Sequence, residues 1–217
     1  ETMTLYADLM HNRVRAAARR EETALTTAFV GRGRELRRIH AALADVVRGQ
    51  GATLFVSGEA GSGKTALVRE ALHATTEGER NRIFWGACQP ASEAEAAQPY
   101  GPWQQILTLA APVIAHRSAF PAELLNVLLP LVPDLGLLRP GLLAPSQPDA
   151  AELRRALRQV VLQLAKPDPL ILVLEDLHWA DRQSLDLLDD LATAGPTSGV
   201  LLLVTHRPEP AAVRLLA

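Results

Sequence analysis

An α/β fold built on a parallel sheet with helices on both faces follows from three observations. Strand-length runs alternate with helix-length stretches along the chain. The runs Leu170 to Glu175 (LILVLE) and Val200 to Thr205 (VLLLVT) are apolar without the period-two alternation of a half-wet strand. The glycine-rich loop Gly58 to Thr65 (GEAGSGKT) stands between a short apolar run and a helical pattern. A sheet whose strands are apolar all round must be covered on both sides, which gives three layers.

The elements follow in order. Residues 2 to 25 set Leu5, Leu9, Val14 and Ala17 among arginines and glutamates, and this predicts a charged amphipathic linker helix. The expected organisation is therefore a linker over 1–27 and one nucleotide-binding domain over 28–217. Glu1 in place of an initiating methionine suggests a piece of a larger chain. A helix over Glu35 to Val47 leads through the turn Arg48 to Gly51 into a strand over Ala52 to Ser57 (ATLFVS). The spacing of Ala66, Leu67, Val68, Ala71 and Leu72 predicts a helix over Lys64 to Thr75, and Arg82 to Ala87 (RIFWGA) reads as the next strand.

Helices are predicted over Trp103 to Ala115, Ala122 to Leu129 and Ala150 to Lys166, separated by loops holding Pro130, Pro133, Pro140, Pro145 and Pro148. Leu124, Leu125, Leu128 and Leu129 have the spacing of a core-facing helix stripe, the alternative being a surface for protein contacts. After the third strand, Leu170 to Glu175, come a helix over Ser184 to Ala194 with Asp181 as its cap and the fourth strand, Val200 to Thr205. Trp179 reads as a packing residue in preference to a ligand contact.

Composition removes several function classes. With 48% hydrophobic and 21% charged residues the chain has a folded core, and a net charge of -2 gives no field to attract nucleic acid. Any DNA contact is thus expected through domains outside this chain. Cys88 is the single cysteine, which fits a reducing cytoplasm and leaves no disulfide framework. His11, His40, His73, His116, His178 and His206 lack metal-ligand spacing. The longest apolar strand, Leu170 to Leu174, is cut short by Glu175 and Asp176, so no run reaches the length of a membrane span.

The loop carries the chemistry. Its glycines, Gly58, Gly61 and Gly63, let the backbone wrap a phosphate closely, since a Cβ at these turns would meet the chain or the ligand. Lys64 is placed to reach β- and γ-phosphate oxygens, and the Thr65 hydroxyl to ligate magnesium. The candidate nucleotide-binding segment is Gly58, Glu59, Ala60, Gly61, Ser62, Gly63, Lys64, Thr65 and Ala66. Hydrolysis also needs a metal acid and an oriented water. Glu175 and Asp176 end an apolar strand abruptly, at the carboxyl edge where such sheets bind nucleotides. By position Glu175 is the metal acid and Asp176 the water-activating acid, although neighbours on a strand end can exchange these roles. Arg207, just past the fourth strand, either reads the γ-phosphate or is an exposed arginine before the Pro208 turn.

Taken together, FVGRGREL, GEAGSGKT, PYGPW (Pro99 to Trp103), LVLEDLHWAD and LLLVTHRPEP resemble the signal-transduction ATPases with numerous domains. Within that class they resemble the ATPase modules of large bacterial LuxR-type and antibiotic-pathway transcriptional regulators. The likeness runs from about Ala28 to Pro210. It implies an AAA-like P-loop NTPase fold, ATP or ADP with Mg2+ as ligands, and Val30, Gly31 and Arg32 against the nucleotide. It also implies that Arg207 is a γ-phosphate sensor. Gly33 stands where the family often has glutamate, and Glu175 where many relatives have aspartate. The lid and winged-helix domains that follow in such proteins would lie beyond Ala217, leaving an open site.

The function expected is a slow ATPase switch, working with other domains of its parent chain and with nucleotide-dependent homo-oligomerisation. Two further readings stay open. A phosphotransferase would use the segment from Pro90 to Pro148 as an acceptor pocket, and a scaffold would bind nucleotide without hydrolysing it.

Overall fold

The four apolar runs pair into one sheet because each is flanked by a helix long enough to return the chain to the same edge. The computed structural model describes residues 31–73, 82–90, 99–143, 148–194 and 199–208. The predicted linker helix, Val30 and the last two residues of the predicted helix Lys64 to Thr75 lie outside the described residues. The elements are α1 (Gly33–Val47), β1 (Ala52–Ser57), α2 (Lys64–His73), β2 (Arg82–Ala87), α3 (Gly101–His116) and α4 (Ala122–Leu128). They continue with α5 (Asp134–Leu138), α6 (Ala150–Leu164), β3 (Leu170–Glu175), a 3-10 turn (Leu177–Trp179), α7 (Arg182–Thr193) and β4 (Val200–His206).

The strand order is β1-β4-β3-β2, and all three pairings are parallel. Leu170, Leu172 and Leu174 of β3 and Val200, Leu202 and Val204 of β4 share one buried cluster with α3, α4, α6 and α7. The alternating residues Ile171, Val173, Leu201 and Leu203 are equally buried but stand outside that cluster, on the opposite face. The buried stripes of α1 (Ile39, Leu43, Val46) and α2 (Leu67, Val68, Ala71) also lie apart from it, and α2 packs on β4. The predicted three-layer α/β/α arrangement is therefore present.

Helix α3 is set down by one close approach. A Cβ on Gly86 would stand 2.2 Å from the Pro102 carbonyl oxygen, so the start of α3 crosses directly over β2. Pro102 lies in the first turn, where its missing N–H costs no hydrogen bond, and the helix begins two residues before its predicted start. The Gln105 side chain accepts from the Ala87 N–H at 3.0 Å and donates to the Ala87 carbonyl at 3.1 Å, acting as a short extra strand beside β2. Trp103 Nε1–H donates to the Ser184 carbonyl at 3.1 Å and ties α3 to α7.

Leu124, Leu125 and Leu128 are buried and Leu129 packs against the same cluster, so that stripe is core. Asp181 caps α7, accepting from the Ser184 N–H at 2.9 Å. Trp179 packs its ring 5.0 Å from that of His178 but remains 42% exposed, so it is not a core residue. The chain reverses at Asp176, and the resulting turn carries Trp179 outward instead of into the core.

Candidate nucleotide site

Parallel strands in register deliver their carboxyl ends to one edge. Ser57 is level with His206, Leu174 with Val204, and Ala87 with Glu175. The loop after β1, the acids that end β3 and Arg207 after β4 therefore leave the sheet together. The Gly58 N–H continues the β1–β4 ladder by donating to the His206 carbonyl at 3.3 Å.

The loop then turns tightly. A Cβ on Gly58 would stand 2.6 Å from Ser62 Oγ, meeting the chain as expected of this turn. Gly61 and Gly63 differ, since a Cβ at either meets no protein atom within 4 Å. Their requirement is torsional, with φ +72° and +78° in the left-handed region. Lys64 is 8% exposed, and its Nζ donates to the carbonyls of Gly58 at 2.8 Å and Glu59 at 3.0 Å. The ammonium thus closes the loop on itself, while half-buried Thr65 follows in the first turn of α2. Peptide N–H groups at such a helix start favour an anion.

Across β4 stand the acids. Glu175 is half-buried, and its Oε1 has no hydrogen-bond partner among the described residues. Asp176 is exposed and takes a left-handed backbone, φ 54° and ψ 46°. Its N–H donates to Thr205 Oγ1 at 3.0 Å. Cys88, just past β2, donates its N–H to the Glu175 carbonyl at 2.9 Å. Burial first, then the nearby charges of Asp181 and Asp176, push its thiol up to about 12. At neutral pH Cys88 is a protonated packing residue.

Arg207 is half-buried at the end of β4. Its carbonyl accepts from His206 Nδ1–H at 2.7 Å, which fixes the proton on that nitrogen. The buried His206 ring also meets Phe55 edge-on at 6.1 Å. Gly31, at φ +97°, and Arg32 precede α1 in a unit of the chain separate from the one that holds the loop. In the sequence Thr205 reads only as a strand residue and His206 only as one of six scattered histidines. The signal available was a hydroxyl closing an otherwise apolar strand.

A magnesium ion fits these residues. Among the described residues no three His, Cys, Asp or Glu side chains form a cage. Magnesium characteristically takes one or two carboxylates and completes its shell with substrate phosphates and water. Glu175 Oε1 is a buried carboxyl oxygen without a hydrogen-bond partner among the described residues, and an unpaired polar oxygen is costly to bury.

Residues 28–204 match the AAA ATPase domain family, more than half of the chain. The chain belongs to that family. That family marks the chain as a nucleotide-binding module, and nucleotide hydrolysis is general to its members. An uncharacterized protein of Rhizobium meliloti (strain 1021) is 28% identical over 191 residues, covering 83% of this chain and 18% of that protein. The structure of Drosophila ORC bound to DNA aligns with this AAA domain at a TM-score of 0.51 and 16% identity, covering 88% of this chain and 43% of that one. That likeness supports the fold. The chain spans less than half the length of either relative. Among the described residues of the domain, no helix is long and apolar enough to cross a membrane.

Proposed function

We propose that this AAA domain is a slow ATP-hydrolysing switch within a large bacterial transcriptional regulator, its ATPase domain spanning 28–217 after a linker at 1–27. The observation that carries the reading is the common edge. One sheet end presents the phosphate loop, an acidic pair and an arginine, the parts needed to hold a γ-phosphoryl group and to sense its loss.

Backbone N–H groups of Gly58 to Ala66 and the Lys64 ammonium bind the phosphates. Thr65, Glu175 and Asp176 would hold magnesium, which when bound neutralises charge on the phosphate oxygens. Asp176, exposed at the edge, orients water in line with the γ-phosphorus and takes its proton as the bond to the ADP oxygen breaks. Arg207 contacts the γ-phosphate and loses that contact after cleavage.

Two facts support the wider context. The relative from Rhizobium meliloti is more than five times as long as the matched segment, consistent with a module in a multidomain chain. The helices between β2 and β3 spend their apolar faces on the core, which favours a switch over a phosphotransferase with an acceptor pocket there. DNA contact and oligomerisation are assigned to the assembled regulator, whose expected compartment is the cytoplasm.

The test is steady-state ATP turnover of the wild type beside Lys64→Ala and Asp176→Ala, with and without Mg2+. A switch is expected to turn over well below about 10 per second, the median for ordinary enzymes. Faster turnover would overturn the switch. Binding of ATP without ADP formation would overturn hydrolysis and leave a scaffold.

A further inference from the structure

We infer that Thr205 is a positioning residue for Asp176, fixing the water-activating carboxylate relative to the phosphate loop. The inference rests on the ATPase reading above. Thr205 touches neither substrate nor metal in this account; it acts through the Asp176 backbone.

Asp176 and Tyr100 are the two non-glycine residues with positive φ among those described. A residue with a Cβ enters that region only when its surroundings hold it there, and such residues gather at functional sites. The backbone pairing of β3 with β4 runs as far as Leu174 and Val204. Two residues past Leu174, the Asp176 N–H meets a side chain instead, Thr205 Oγ1 at 3.0 Å. Thr205 is 1% exposed, so water does not compete for that hydroxyl. The Asp176 carbonyl accepts from the Trp179 N–H at 2.9 Å, and the residue is held at both ends.

The strand partner of this contact gives it consequence. Thr205 holds Asp176, and its neighbour His206 accepts the N–H of Gly58, the first residue of the phosphate loop. Two consecutive residues of β4 thus bracket the acid on one side and the loop on the other. Displacement of a reacting group by about 1 Å can cost on the order of a hundredfold in rate. A β-branched threonine suits the task, because its χ1 is restricted and its hydroxyl direction is set with the strand.

The test compares Thr205→Val, which keeps the shape and loses the acceptor, with Thr205→Ser, which keeps the acceptor, in the full-length protein. For Thr205→Val, kcat is expected to fall about tenfold or more while KM for ATP moves less than about threefold. Thr205→Ser should recover kcat to within about threefold of wild type. In an Asp176→Asn background the same Thr205→Val change should leave kcat almost unaltered, since its effect runs through that carboxylate. A purely structural threonine would instead lower thermal stability with kcat intact.

Thr205→Val with wild-type kcat, or with its full effect persisting beside Asp176→Asn, overturns the inference and leaves the ATPase reading standing. Absence of ATP turnover in the wild type, or an unaffected kcat in Asp176→Asn alone, overturns both. Should Thr205→Val fail to fold, hydrogen exchange of the Asp176 amide in the wild type decides. Protection supports the bond, and exchange at the rate of an open amide removes it.

Discussion

Lys64 shows how a single side chain serves both the fold and the ligand. Its ammonium donates to the carbonyls of Gly58 and Glu59, so Lys64→Ala removes a tie across the loop together with the charge that meets phosphate. MgATP affinity measured by calorimetry is expected to fall about tenfold or more, the worth of a charge-assisted bond. Gly63 is legible as a loop glycine, yet the reason for it is not. Within the protein itself its φ of +78° is what opposes a side chain, because a Cβ there meets no protein atom within 4 Å. Cys88 was legible only as unpaired; its position beside Asp176 and Asp181 needed the fold. Its thiol rises from an ordinary 9.0 to about 12 in the folded protein. Between those values the unfolded chain has lost a proton that the folded chain keeps, so stability falls as pH rises through the window and is unaffected below it. Cys88→Ala should flatten that alkaline decline, read as the urea midpoint at neutral pH and at about pH 10.

At the scale of elements, the strands were the most legible parts because burial on both faces leaves an unbroken apolar run. β1, β2 and β3 have their predicted bounds, and β4 gains only His206. Helix ends drifted where side chains far away decide them. α3 starts early because Pro102 seats on Gly86, while α5 is a five-residue turn fitted among prolines without periodicity of its own. The left-handed turn after β3 was not legible at all, because the hydroxyl that holds Asp176 is 29 residues away in the chain. Gly86→Ala tests the helix–strand approach: a methyl group 2.2 Å from the Pro102 carbonyl must push α3 off β2. The expected loss is about 1–3 kcal/mol by denaturant unfolding, the usual cost of overpacking. Asp181→Ala removes the cap on the Ser184 N–H and should cost about 1 kcal/mol in the same assay.

For the whole molecule, the parallel register is what turns scattered motifs into one edge. Gly58, Glu175 and Arg207 are separated by more than a hundred positions along the chain at the extremes, and the strand order β1-β4-β3-β2 puts the Arg207 strand between the other two. A ligand seated on that edge touches the ends of several strands, so its binding energy should be felt as global stability and not as local ordering alone. A ligand that binds only the folded state at about a hundred times its Kd adds about 2.7 kcal/mol. With about 2–4 °C of melting temperature per kcal/mol for a domain near this size, MgATP should raise Tm by about 5–11 °C. Chelating Mg2+ should lower that shift, because Glu175 Oε1 would then face the phosphates without its cation. Lys64→Ala should reduce the shift further still at the same ATP concentration. A shift that is indifferent both to the chelator and to Lys64 would mean that nucleotide binds elsewhere on the molecule, and the common edge would lose its assignment.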